Sequence, residues 1–282
     1  MKIRLITDST ANINADKKDK FSIVPLKVIF GDKEYTEGVD IDEKRFYEML
    51  IESDDVPTTS QPSPLEFMKA FKEAYDNGET VIAITVASKL SGTYQSACIA
   101  ASEFPEGSVY VIDSNNVALG TGILAERALE LKESGMSAEE IVKIIEEEKD
   151  RVRLIALHDT LEYLKKGGRI SKTVAFAGGI LSIKPVIGVE DGEIKMLGKA
   201  RGSKKGNNLL VEQIKESGGV DFTKPLLLGY TGLNDDLLKN YIEDSNALWE
   251  GNVDKLPQCI VGSVVGTHAG PGAVAVAYFA NK

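Results

Sequence analysis

The sequence predicts an α/β protein of two domains. Residues 1–150 are expected to form a mainly parallel sheet flanked by helices. Residues 151–282 are expected to form a second α/β domain with a more antiparallel sheet, with no sharp boundary between the two. Three observations carry this prediction. Thr80 to Val86 is β-branched and apolar throughout, the pattern of a strand buried on both faces of a parallel sheet. In the first half such runs alternate with helical stretches across short connections, as βα units do. In the second half Glu190-Asp191-Gly192 separates two extended runs, and an Asp-Gly turn joins antiparallel neighbours.

Taken in order, Lys2 to Ile6 reads as the first strand, and Thr7-Asp8-Ser9-Thr10 as a turn in which Asp8 or Ser9 caps a short helix. Ile23 to Phe30 reads as a second strand, followed by turns and a helix from Asp42 to Ile51. Pro57 to Pro64 holds three prolines among hydroxyl residues and is expected to be a stiff loop. Such a loop presents Thr59 and Ser60 either as a ligand clamp or as a connector. Pro64 suits the first turn of a helix from Leu65 to Asp76. After the strand Thr80 to Val86, Ser91 and Gly92 fall on a strand-to-helix turn before an alanine-rich helix from Thr93. A hydroxyl and free backbone N–H groups there suit an anion, or Ser91 only caps the helix. Ser108 to Ile112 is a strand, and Asn116 to Leu131 a helix with Gly120 and Gly122 in its early turns. Glycine in a helix costs about 1 kcal/mol against alanine, so two of them imply close approach of another backbone or a ligand, or tight packing on the sheet. Ala138 to Lys149 is a further amphipathic helix.

In the second half, Val152 to Leu157 is a strand, Asp159 to Glu162 has capping-box spacing, and Lys166-Gly167-Gly168 breaks the helix it opens. Lys172 to Leu181 is apolar and small. The hairpin pairs Pro185 to Val189 with Glu193 to Leu197. Ser203 to Glu216 and Asn234 to Ser245 are helices, and Leu226 to Tyr230 is a strand between them. Cys259 to Val265 and Ala273 to Phe279 read as strands joined by a glycine-rich loop that carries His268.

Apolar residues make up 43 % and charged ones 27 %, ordinary for a soluble globular protein. The net charge of −10 argues against general nucleic-acid binding. It is uneven: Lys165 to Lys205 holds ten Lys and Arg against three acids, a local +7 that leaves −17 elsewhere. That concentration fits either a solvated face or an anionic partner. No apolar run is long enough to span a bilayer, and the chain opens directly on a strand, so no signal peptide is expected. Cys98 and Cys259 fit no disulfide framework or metal spacing, which points to a reducing cytoplasm. There is no Walker motif and no Gly-x-Gly-x-x-Gly opening a helix after a strand. A hydrolase triad would need His158 or His268 as base, and Ser91 lacks the Gly-x-Ser-x-Gly elbow. His158, ending a strand, fits a structural role, whereas His268, fixed among glycines with no apolar stripe, fits contact with a ligand.

Together these segments resemble the DegV family of bacterial fatty-acid-binding proteins over nearly the whole chain. The resemblance is carried by Thr7-Asp-Ser-Thr-Ala-Asn-Ile13, Thr59-Ser-Gln-Pro-Ser63, Ser91-Gly-Thr-Tyr-Gln-Ser96, and Asp113-Ser114 with Gly120-Thr-Gly122. It continues in Leu161-Glu-Tyr-Leu-Lys-Lys-Gly-Gly-Arg-Ile-Ser171, Ile183-Lys-Pro185, Gly198-Lys-Ala-Arg201 and Gly266-Thr-His-Ala-Gly-Pro-Gly272. Each motif is short; their order makes the set specific. Asn12 stands where the family often has Asp and Ala118 where Ser is common, neither being a position assigned to the ligand.

The resemblance implies a bound long-chain fatty acid, its tail in an apolar tunnel and its carboxylate near the domain cleft. Carried over by position, Thr59 and Ser91 look like hydroxyl donors to the carboxylate, and Gly92 adds its backbone N–H. His268 would lie close to the same oxygens and Arg169 at the rim. The resemblance also implies a separate fatty acid kinase that makes the acyl phosphate, within phospholipid metabolism. Arg169 and Arg201 resemble positive residues that meet this partner or the phosphorylated head group. On this reading the chain is a cytoplasmic carrier and not an enzyme, with no catalytic residue, metal, cofactor or nucleic acid, and with transient contact to a membrane surface. Val174 to Leu181 would line the tunnel or pack as core. The rival is a stand-alone phosphotransferase or hydrolase using Ser91, His268, Asp8 and Asp113; a third reading is a lipid-sensing regulator with no kinase partner.

Overall fold

The computed structural model describes residues 2–53, 56–171, 183–249 and 251–281. The first half runs β1 (Lys2–Asp8), β2 (Phe21–Val24), β3 (Lys27–Phe30), β4 (Lys33–Thr36), α1 (Glu43–Glu52), β5 (Thr58–Ser60) and α2 (Pro64–Asp76). It continues with β6 (Glu79–Thr85), α3 (Thr93–Ala101), β7 (Val109–Asp113), α4 (Leu119–Glu133) and α5 (Ala138–Glu148). The second half runs β8 (Val152–Leu157), α6 (Glu162–Lys166), β9 (Ile183–Glu190), β10 (Glu193–Arg201) and α7 (Ser203–Glu216). It ends with β11 (Leu227–Tyr230), α8 (Asp236–Asp244), β12 (Gln258–Ile260), α9 (Ser263–Ala269) and β13 (Val274–Phe279).

Strands β2-β1-β6-β7 form an all-parallel sheet. Strands β10-β9-β8-β13-β11-β12 form a second sheet, antiparallel except between β11 and β12. A small antiparallel sheet, β4-β3-β5, lies outside both. The two-sheet α/β architecture is the one the sequence predicts, and local chemistry explains its elements. Ser63 and Glu66 make a capping box with Pro64 at the first helical position of α2, and Ser137 and Glu140 make another on α5. Asp191 (φ 50°) and Gly192 (φ 73°) both take left-handed backbone in the β9–β10 turn, as a two-residue hairpin demands.

Several expectations are corrected. Ile23 to Phe30 is not one strand: Pro25, which has no N–H, separates β2 in the parallel sheet from β3 in the small one. Thr58–Ser60 is not loop but an edge strand, Thr59 opposite Val28, with its prolines outside the paired residues. No helix opens at Asp8 or Ser9. Asp8 instead accepts from the Thr10 N–H (3.0 Å), the Thr10 hydroxyl (2.5 Å) and the Val86 N–H (2.7 Å). Asp159 does not cap α6 but pairs with Lys184, and the Thr160 hydroxyl accepts from the Glu162 N–H at 3.2 Å. Cys259 to Val265 splits into β12 and the start of α9, so Gly266 to Ala269 is helix and His268 sits in its last turn. Lys172 to Leu181, with the proposed tunnel wall, lies outside the described residues.

Helix α4 lies between the two large sheets. Eleven of its residues are buried, Ile123 and Leu124 among them, and the one buried charge, Glu126, is paired with Lys17. One core accordingly runs from Ile3 and Ile82 through Leu119 and Ile123 to Ala277 and Phe279. Gly122 permits this packing, because a Cβ there would stand 1.8 Å from the Asn12 carbonyl oxygen. The second half has its own core on the far face of the six-stranded sheet, around Tyr241, Trp249 and Tyr278.

Candidate functional site

Above the carboxyl ends of β1, β6 and β7 the loops converge, as the parallel order requires. The Asp8 carboxylate takes the Val86 N–H, and the Ala87 N–H donates to the Asn116 carbonyl at 2.8 Å. Between these loops, the start of α4, helix α9 and one face of the six-stranded sheet lies a void of about 920 Å³, its open mouth included.

Strand alternation builds the wall. Leu154, Ala156 and His158 follow one another at period two on and just after β8, and all line the void. Register sets Ala275 of β13 between Ala156 and Gly229 of β11, so the middle of the wall is a row of small side chains. Val117, Ala118 and Leu119 at the head of α4 supply the opposite side. Ala118 holds φ at 53°, a left-handed backbone uncommon for alanine. The position at which this chain has Ala in place of Ser is therefore part of the wall, contrary to expectation.

Polar groups gather where Thr59, Ser91, Arg169 and His268 meet the void. Thr59 Oγ1 lies 2.9 Å from His268 Nε2. His268 Nδ1 is buried and has no hydrogen-bond partner among the described residues, and Gly167 presses so close that a Cβ there would stand 2.2 Å from it. An N–H at Nδ1 would be orphaned, so the bonding assigns the proton to Nε2, which donates to Thr59 and leaves the Thr59 O–H free to donate elsewhere. Burial, reinforced by the Arg169 charge, brings the His268 pKa down to about 4. Ser91 Oγ is 2.9 Å from Thr93 Oγ1 and accepts from the Thr93 N–H at 3.4 Å, which ties it to the first residue of α3. Arg169 donates from Nε to the Leu90 carbonyl (3.1 Å) and from Nη1 to the Gly167 carbonyl (2.7 Å), which neutralises none of its charge.

The void thus brings together Thr59, Ser91, Arg169 and His268. Gly92, one residue beyond the lining, is the N-cap of α3, and Gln61 packs so closely on it that a Cβ would stand 2.2 Å from the amide oxygen. Arg201, at the exposed end of β10, is not among the lining residues. Of the groups of the rival enzyme reading, Ser91 and His268 both meet the void, whereas Asp8 and Asp113 are not among its lining residues. His268 bonds Thr59 rather than Ser91. Asp8 is held by backbone and Thr10, and Asp113 accepts from the N–H groups of Ser88 and Asn115. Sequence reasoning missed Thr10 and the wall role of His158, whose Nδ1 lies 3.3 Å from the Ala269 carbonyl. The signal for His158 was its strand parity with Leu154 and Ala156. Among the described residues no group of three or more His, Cys, Asp or Glu is placed to hold a metal ion, and no helix is long and apolar enough to cross a membrane.

Fold and site define an α/β protein that encloses an apolar void between two sheets, with hydrogen-bonding and cationic groups at one end. Residues 2–281 match the family model described as uncharacterised protein, DegV family. A DegV domain-containing protein of Caldanaerobacter subterraneus is 39 % identical over 100 % of this chain and 99 % of its own. The crystal structure of DegV, a fatty acid binding protein from Bacillus subtilis, has a TM-score of 0.82 at 30 % identity, covering 100 % of both chains. A fatty-acid-binding DegV family protein from Thermus thermophilus has a TM-score of 0.88 at 32 % identity, covering 99 % of this chain and 100 % of that one. The chain belongs to the DegV family.

Proposed function

We propose that the protein binds one long-chain fatty acid in the inter-sheet void and presents it to a separate fatty acid kinase. The observation that carries this reading is the void itself: apolar along its length, with two hydroxyls, an imidazole and a guanidinium at one end. Fatty acid binding by the similar Thermus and Bacillus proteins supports it. Burying about 14 methylenes at about 0.8 kcal/mol each gives a gross gain of about 11 kcal/mol. Lost association entropy and chain ordering offset part of that and still leave tight retention. A carboxylate leaving water needs several donors. Thr59 and Ser91 give hydroxyls, Gly92 a backbone N–H and Arg169 a positive charge, with His268 orienting Thr59. The ligand lies between the units formed by residues 1–150 and 151–282. Arg201, exposed and outside the void, serves the kinase rather than the lipid.

Native mass spectrometry of the protein purified from a bacterial host is expected to show the mass increment of one fatty acid. A clean apo mass that refuses added fatty acid would overturn the reading. Thr59→Ala with Ser91→Ala should weaken fatty-acid affinity at least about tenfold, since each hydrogen bond to a charged group is worth about 1.5–3 kcal/mol. Unchanged affinity would refute the head-group assignment. Arg201→Glu should abolish acyl-phosphate formation by the kinase with the lipid still bound; retained phosphorylation would count against the partner role.

A further inference from the structure

The geometry points to Glu37 as the positioning residue that sets His268 against Thr59 at the polar end of the void. The inference rests on the fatty-acid reading for its ligand but not for the internal geometry.

Helix α9 has little reason to form by itself. Its seven residues, Ser-Val-Val-Gly-Thr-His-Ala, include two valines, a threonine and a glycine, and a helix of that length is unstable alone. Its N-cap, Gly262, has no side chain with which to cap it. Glu37 takes over that task from a distant part of the chain. Glu37 Oε1 accepts from the Ser263 hydroxyl and from the Val264 N–H, both at 2.9 Å. Gly262 packs on the carboxylate closely enough that a Cβ would stand 2.6 Å from Oε1. Oε2 is sealed from solvent and has no hydrogen-bond partner among the described residues. Burial accordingly raises the carboxyl above its ordinary pKa. A carboxylate is kept in so costly a place where the contact it makes is needed.

Glu37 is itself fixed. It follows β4, donates its N–H to the Leu26 carbonyl at 3.0 Å, and bridges to Ile41. The sheet to which β4 belongs also carries Thr59, on β5. One small sheet therefore holds α9 at both ends, through Glu37 at its start and through Thr59 and His268 in its last turn. Val264 and His268 are four residues apart, about 6 Å along the axis, so movement of the start moves the imidazole with it.

The test uses full-length protein labelled with ¹⁵N-histidine, whose spectrum contains only the His158 and His268 rings. Glu37→Ala should shift the His268 ring signals most, and those of His158 to a smaller degree, because His158 Nδ1 lies 3.3 Å from the Ala269 carbonyl at the end of the same helix. It should weaken palmitate binding about tenfold while changing hexadecanol, the same tail without a carboxylate, by less than about twofold. Glu37→Gln keeps the Oε1 acceptor and should restore both the spectrum and palmitate affinity. If Glu37→Ala does not fold, Glu37→Asp, which withdraws the carboxylate by one methylene, should show the same pattern. An unmoved His268 ring, or equal losses for palmitate and hexadecanol, would overturn the inference. Failure of the wild-type chain to take up palmitate would sink the fatty-acid reading instead, and the ring signals would still decide the positioning role.

Discussion

Both histidines touch the void, and both are held neutral by it. Burial brings His158 down to about 4 against the Ala269 carbonyl and Asp159, and burial with Arg169 does the same for His268. In the unfolded chain each takes up its proton near 6.5. Between pH 6.5 and about 4 the unfolded state therefore binds more protons, so this contribution to stability is complete above pH 6.5 and is lost as the pH falls toward 4. Urea denaturation at pH 7.0 and 4.5 should show that loss, and His158→Gln with His268→Gln should show a smaller one. An equal loss in both would assign the acid sensitivity to carboxylates with lowered pKa, such as Asp221 and Glu148. The meeting of Thr59, Ser91, Arg169 and His268 was legible in the motifs, because motif order carries position even where geometry is unseen. Glu37 was not legible, since a burial that depends on contacts over 200 residues away leaves no local trace.

Among the helices, α4 tests propensity against packing. Alanine for glycine in a helix should add about 1 kcal/mol of stability by propensity. At Gly122 the new Cβ would stand 1.8 Å from a backbone oxygen of Asn12, which cannot swing aside. Gly122→Ala is thus expected to destabilise by about 1–3 kcal/mol, the range for overpacking, measured as a lower urea midpoint at unchanged slope. A raised midpoint would show that the Asn12 loop yields freely. The sequence had already marked Gly122 as a site of close approach, and backbone proves to be the partner. The helix nature of α9 was illegible for the opposite reason. Its residues disfavour helix, and Gly266 is there because the Phe46 ring and the Tyr47 hydroxyl leave no room for a Cβ. Tertiary contact decides such a segment. The same holds for β5, whose strand pairing exists only because β3 lies beside it.

The two large sheets share α4 and one continuous core, yet their facing surfaces do not close. A folded chain ordinarily fills such space, since voids forfeit contacts. Here register keeps it open by setting Ala156, Ala275 and Gly229 side by side, where larger side chains would occupy the void. The open space is therefore written into the small side chains of three strands, and it can be closed by writing a larger one. Ala275→Phe puts a ring into the middle of the wall. If the void holds the fatty-acid tail, palmitate affinity should drop at least about tenfold. A ten-carbon acid, needing less depth, should lose less. The melting temperature of the delipidated variant should hold or rise, because filling a cavity stabilises. The polar end is untouched, so the His268 ring signals should stay where they are in the wild type. A folded Ala275→Phe protein that still binds palmitate with wild-type affinity would mean that the tail lies elsewhere. The row of small residues would then be a packing feature of the sheet and not a mould for the ligand.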